Sequence, residues 1–147
     1  MNTPATQQTI LIVSGALFSA EGKLLLLRRA DDKEWEMPGG ELDFGEAPEL
    51  GLIRQFSETT DIEVSVDRPL GAWSSLESTG DRAIYTVHID FTVKCSGALL
   101  GVDIDPSRHA EFAWMSRPQA AASMPLPAKR EAVERAFVAL TRSRKNA

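Results

Sequence analysis

Apolar residues follow two rhythms along this chain. From Ala83 to Val93 they alternate, with Tyr85, Val87, Ile89, Phe91 and Val93 on one face and Thr86, His88, Asp90 and Thr92 on the other. A period of two is that of a strand with one face on a core. Thr9 to Phe18 and Lys23 to Arg29 are apolar runs flanking Ala20-Glu21-Gly22, which reads as a hairpin with the glycine at positive φ. Ile62 to Val66, Pro69 to Leu76 and Phe112 to Met115 are further short strands, and Glu77 to Asp81 is a polar turn. Gly101 to Ala110 is read as loop, because Asp103, Asp105 and Pro106 favour turns. Helical signals are fewer. Pro48 follows Ala47 at a position where its missing N–H is not needed, so a helix opens there and runs to about Thr60. Ser116 caps a short helix through Ala122, and Pro127 opens a last one. On it Ala132, Val133, Ala136, Phe137 and Leu140 form an apolar stripe, and Glu131 stands one turn from Arg135. Met1 to Gln8 reads as a frayed arm and Arg142 to Lys145 as a solvated basic tail.

The chemistry concentrates between Trp35 and Ile62, where a glycine turn meets the first helix. Trp35, Pro38, Gly39 and Gly40 end a strand in a sharp turn, and paired glycines let backbone amides approach a ligand that a Cβ would keep away. On the helix Gln55, Glu58 and Thr59 share one face, with Arg54 one turn from Glu58. Arg28 and Arg29 end the run before the turn, placed either for phosphate or for solvent. Trp35 suits stacking on a base or packing on the sheet, and His88 suits a ligand contact or a hydrogen bond to its strand neighbours.

The spacing Gly40, five residues, Glu46, seven residues, Arg54, then Phe56, Glu58 and Ile62 resembles the Nudix box, preceded here by Trp35, Pro38, Gly39 and Gly40 at the matching offset. The resemblance implies an α/β fold, an α/β/α sandwich with a mixed sheet between helices, and hydrolysis of a nucleoside diphosphate-linked substrate assisted by magnesium or manganese. It implies that Gly40 offers its carbonyl and Glu58 a carboxylate to metal, that Arg54 orients its neighbours, and that Glu46 fixes the loop against the helix or reaches the metal. This chain departs from the pattern at Gln55, Thr59 and Asp61, where the family has two glutamates and a glycine. Gln55 cannot take up a proton and Thr59 is too short to replace a glutamate, so the helix supplies one carboxylate instead of three. The candidate loop carboxylates to substitute are Glu41, Asp43, Asp105 and Glu111, the last a candidate metal ligand because it lies where some family members place an acidic residue near the site.

Composition narrows the partners. At 147 residues the chain is read as one domain. A net charge of -5 repels a nucleic-acid polymer and allows a small phosphorylated molecule only where cations mediate. Cys95 is the only cysteine and lies in an apolar strand pattern, so it reads as a core thiol. The first residues are polar and carry no basic group, so neither a secretory leader nor a membrane span is expected, and the cytoplasm is the default location. A homodimer is the candidate assembly. Three functions remain open: a hydrolase with weakened or altered activity, a catalytically inactive domain of the same fold that binds a nucleotide-like ligand, and a structural or protein-binding role.

Overall fold

The computed structural model describes residues 6–99 and 101–145. Its layering follows from strand β2 (Leu24–Arg29), whose leucines Leu24 to Leu27 are all 0% exposed. Successive side chains on a strand point to opposite faces. Leu25 and Leu27 therefore enter one apolar cluster, and Leu24 and Leu26 enter another. Helix α1 (Pro48–Thr60) covers the first cluster with Leu52 and Phe56, four residues apart and both fully buried. Burying a side chain of that size contributes roughly 1.5–3 kcal/mol. Helix α3 (Pro127–Lys145) covers the second cluster with Ala132, Val133, Ala136 and Phe137, joined by Ala120 of helix α2 (Arg117–Ser123). Ser116 caps α2 reciprocally with Gln119, as the sequence signals. The fold is α/β, with sheet between helices.

The strands form a four-stranded mixed sheet and a three-stranded antiparallel one. In the mixed sheet β1 (Thr6–Ala16) runs parallel to β6 (Arg82–Cys95), β5 (Val64–Thr79) is one edge, and β4 (Gly39–Glu41) is the other. In the second sheet β2 lies between β3 (Trp35–Glu36) and β7 (His109–Met115).

Several expectations from the sequence need correction. The turn after β1 is tight, with Gly22 at φ +79 and Phe18 bridged to Leu24, but its two arms are not one hairpin. They diverge at once, β1 to pair with β4 and β6, and β2 to pair with β3 and β7. Ile62–Val66 and Pro69–Leu76 belong to one strand, since β5 begins at Val64 and register shifts at Asp67 and Leu70 carry it past Arg68 and Pro69. It also takes in Glu77 to Thr79, so the polar turn shrinks to Gly80-Asp81. The expected arm is strand from Thr6, paired with Arg82; its first five residues lie outside the described ones. β7 starts inside the expected loop, at His109, and Arg142 to Lys145 are the last turn of α3. Among the described residues Glu131 and Arg135 form no pair; Arg135 turns instead toward Asp90, 3.9 Å away. Nor is any helix among them long and apolar enough to cross a membrane.

Candidate functional site

Edge strand β4 is where the glycine pair and the box helix meet. A Cβ on Gly39 would lie 1.9 Å from the Val13 carbonyl oxygen, and one on Gly40 would lie 2.5 Å from the Gln55 amide. Neither glycine has positive φ. Their need for glycine is thus close approach of β1 and α1 to β4, and not the approach of a ligand as the sequence suggested. On the outer side of β4 the Glu41 carbonyl has no further strand to pair with, and α1 satisfies it. Gln55 Nε2 donates to it at 2.9 Å and Arg54 Nη2 at 3.2 Å.

Arg54 is the hub of the helix face. It donates to both Glu46 carboxylate oxygens at 2.8 Å and to Glu58 Oε2 at 3.2 Å, and lies 3.6 Å from Asp43. Glu46 also accepts from the Asp43 backbone N–H, which ties the loop to the helix. The Arg54 guanidinium first, and that N–H second, hold the Glu46 carboxyl down to about 2. Thr59 is fully buried, and its hydroxyl donates back to the Gln55 carbonyl at 2.7 Å. Glu58 remains as the half-exposed carboxylate of this face.

A residue that the sequence did not single out completes the face. Arg108 Nη2 donates to Gln55 Oε1 at 3.2 Å, and its Nη1 lies 4.0 Å from Glu58. The loop that carries it is built by Asp105, whose carboxylate accepts from the Ser107 N–H and hydroxyl and whose carbonyl accepts from the Arg108 and His109 N–H groups. Those Ser107 bonds lower the Asp105 carboxyl below its usual range. The Arg108 carbonyl is tied in turn to the Ala30 N–H.

A cavity of about 390 Å³ opens beside this junction, lined by Gly39, Gly40, Glu41, Ser107 and Arg108 together with Ile12, Ser14, Arg29 and Glu36. It shares Ile12, Ser14, Arg29, Glu36 and Met37 with a smaller inner pocket of about 70 Å³ that reaches Trp73, His88, Asp90 and Lys129. There Trp73 and His88 stack with ring centres 3.7 Å apart and planes 4° apart, and Trp73 Nε1 donates to Asp90 at 3.1 Å. Burial pushes the Asp90 carboxyl up to about 6 against the pull of Trp73 and Arg135. Burial, then the charge of Lys129, pushes His88 down to about 4, so its imidazole is neutral at pH 7. Two larger hollows, of about 490 and 460 Å³, lie elsewhere, around Cys95 and Asp103 and around Arg68 and Leu140. Neither is lined by the glycine pair or Arg108.

Of the residues singled out from sequence, Gly40, Glu46, Arg54, Gln55 and Glu58 come together, and Gly39, Arg29 and His88 line the cavity or its inner extension. Arg29 is held by Asp31, Asp32 and Glu36, which raise its pKa further above neutrality. Arg28 points the other way, bonded to Glu111 at 2.9 Å and lying over the Trp35 ring, and none of the three lines the cavity. Trp35 packs instead on the second apolar cluster.

The box resemblance implies a divalent cation, and the donor set at this face decides whether one can reside there. Among the described residues no three acidic, His or Cys side chains come together to hold a metal. Gln55 and Thr59 spend their polar atoms on protein partners, Glu111 is held by Arg28, and Glu58 is flanked by the guanidiniums of Arg54 and Arg108. A dication seated on Glu58 would meet both positive charges. These residues do not fit a resident divalent metal.

A family model, the NUDIX domain, matches residues 9–140. The MutT-like protein of Streptomyces ambofaciens is 36% identical over 104 residues, 71% of this chain and 62% of that protein. The RNA pyrophosphohydrolase of Acidiphilium cryptum (strain JF-5) is 35% identical over 77 residues, 47% of this chain and 46% of that protein. The matched region thus spans less than two thirds of either curated relative. The crystal structure of the MutT protein from Methanosarcina mazei Go1 shares the fold, with a TM-score of 0.70 at 24% identity over 95% of this chain and 96% of that one. A match that runs from β1 into α3 and takes in the glycine pair, the box helix and the Arg108 loop places this chain in the NUDIX family.

Proposed function

We propose that this chain takes a nucleotide-like diphosphate into the cavity beside β4 and hydrolyses its phosphoanhydride slowly. Nudix hydrolases act on nucleotide-like phosphorylated substrates and generally use divalent metals. What supports the reading here is one junction, at which Gly40, Glu41 and Arg108 both line the cavity and touch the face that carries Glu58.

Phosphoryl transfer needs the reacting group positioned and its negative charge offset. Gly39 and Gly40, which line the cavity, hold β4 close against β1 and α1, and Arg108 offsets charge on the diphosphate's oxygens. Glu58, held by Arg54, accepts a proton from water as the water oxygen bonds to phosphorus; the bridging P–O bond then breaks and the leaving phosphate departs. Glu46 fixes Arg54 and so acts through it. The stacked Trp73 and His88, with Asp90, border the space for the moiety attached to the diphosphate. Magnesium or manganese, the cations implied by the box resemblance, finds no resident site and is expected to bind weakly unless phosphate oxygens complete its shell. General-base assistance is worth roughly 10²- to 10⁴-fold, and Glu58, the one helical carboxylate and already engaged by Arg54 and Arg108, supplies only part of it. Slow turnover is the consequence.

A second reading, binding without turnover, is favoured by the engagement of Gln55 and Thr59 with protein partners. One experiment separates the two. Wild type and Glu58→Ala are assayed against nucleoside triphosphates, dinucleoside polyphosphates, nucleotide sugars, ADP-ribose and a 5′-triphosphorylated oligoribonucleotide, with and without magnesium or manganese. Slow turnover of a small substrate, lost in Glu58→Ala, supports the hydrolase. Binding of a panel member without turnover supports the second reading, and absence of both sinks the two together. The oligoribonucleotide is included because of the Acidiphilium relative's name; the net charge of -5 disfavours it.

A further inference from the structure

The polar bonds around Gln55 have a direction. Its buried amide donates through Nε2 to the Glu41 carbonyl, which leaves Oε1 as the acceptor for Arg108. A neutral oxygen fixes a guanidinium without cancelling its charge. A glutamate at the same place would pair with Arg108 and neutralise it. Among the described residues the one carboxylate within 4.0 Å of Arg108 is Glu58, at that limit, whereas Arg29, which also lines the cavity, is matched by Asp31, Asp32 and Glu36. Arg108 is thus the cation of this cavity with charge to spare. It is also presented firmly: Asp105 holds its N–H and Ala30 its carbonyl, and the side chain stays 39% exposed.

We propose that Arg108, oriented by Gln55, is a built-in cation of this box and binds the ligand's diphosphate directly, so that binding needs no divalent metal. The planar fork of arginine matches two phosphate oxygens at once, which an ammonium cannot do. Gln55 is the positioning residue, and its amide is the chemistry that leaves the guanidinium charged. The proposal rests on the assignment of the cavity to a nucleotide-like diphosphate.

The test is calorimetric titration of the full chain with ADP and with inorganic pyrophosphate, in excess EDTA and then in millimolar magnesium, with circular dichroism to verify folding of each variant. Wild type binds both probes in EDTA, and magnesium changes the affinity little. Arg108→Ala weakens binding in EDTA by about tenfold or more, the loss of a charged hydrogen-bonding pair, and Arg108→Lys recovers only part of it. Gln55→Glu weakens binding in EDTA and makes magnesium tighten it, a magnesium dependence absent from wild type that simple loss of packing would not produce. Binding by wild type only in magnesium overturns the proposal and leaves the assignment of the cavity standing, as does equal binding by wild type and Arg108→Ala in EDTA. No binding of either probe under either condition overturns both.

Discussion

Asp90→Asn isolates the electrostatics of the inner pocket. The wild-type carboxyl is 2% exposed and pushed from an ordinary 3.8 up to about 6, chiefly by burial. Between those values the folded chain keeps a proton that the unfolded chain has released. A raised carboxyl pKa means that the group favours the folded state most at low pH, and this advantage is lost as pH rises through about 6. The full shift corresponds to roughly 3 kcal/mol, of which about 2 kcal/mol falls between pH 4 and pH 7. Asparagine keeps an oxygen to accept from Trp73 Nε1 and cannot titrate. The attraction of Arg135 for the ionised carboxyl is already contained in that shift, so its loss in the variant adds no further pH dependence. Urea unfolding of both proteins at a series of pH values removes the contributions they share, such as His88. Measured against wild type, the variant should gain about 2 kcal/mol on going from pH 4 to pH 7. A difference that stays flat, or moves the other way, would refute the reasoning and mean that Arg135 outweighs burial at this carboxylate.

Further outcomes follow from the glycine junction and the box helix. Gly39→Ala should destabilise more than Gly40→Ala in thermal unfolding, because the first meets a strand carbonyl and the second a side-chain amide that can shift; overpacking of the second kind costs about 1–3 kcal/mol. Thr59→Glu should lower stability by several kcal/mol, since it puts a carboxylate at a fully buried position, whereas Gln55→Glu, with Arg108 beside it, should lose less in the same urea titration. Glu46→Gln should lower the melting temperature at pH 7. Because the folded carboxyl is depressed from 4.5 to about 2, that deficit should shrink as pH falls below 4.5 and vanish near 2.

The parts legible in the sequence are those written in local patterns. The α1 helix runs from Pro48 to Thr60 as its proline and apolar spacing require, and Asp61 ends it at φ 58, a left-handed conformation that an aspartate tolerates. Residues that meet only through the fold were harder to read. Asp90 falls on the polar face of an alternating strand, and nothing local says that α3 will cover that face and bury it. The β1–β2 turn announces itself through Gly22, yet a turn cannot specify which sheets its arms will join. β5 reads as two strands in the sequence because Arg68 and Pro69 interrupt its apolar run, and bulges are what accommodate them. Arg108 lies in a polar loop with no spacing rule to tie it to the box. The local signal is Asp105 with Pro106, which marks a turn but does not say that the turn, closed by Ser107, presents Arg108.

The central claim is that the diphosphate sits between the glycine pair and the Arg108 loop, and amide-resolved NMR of the nitrogen-15-labelled chain titrated with ADP tests it most directly. The predicted result is a saturable shift of the Gly39, Gly40, Glu41 and Ser107 to His109 amides and of the Arg108 side-chain Nε, while Asp61, Cys95 and Asp103, beside the larger hollow, stay in place. Shifts confined to Asp61, Cys95 and Asp103, with the glycine pair and Arg108 unmoved, would contradict it.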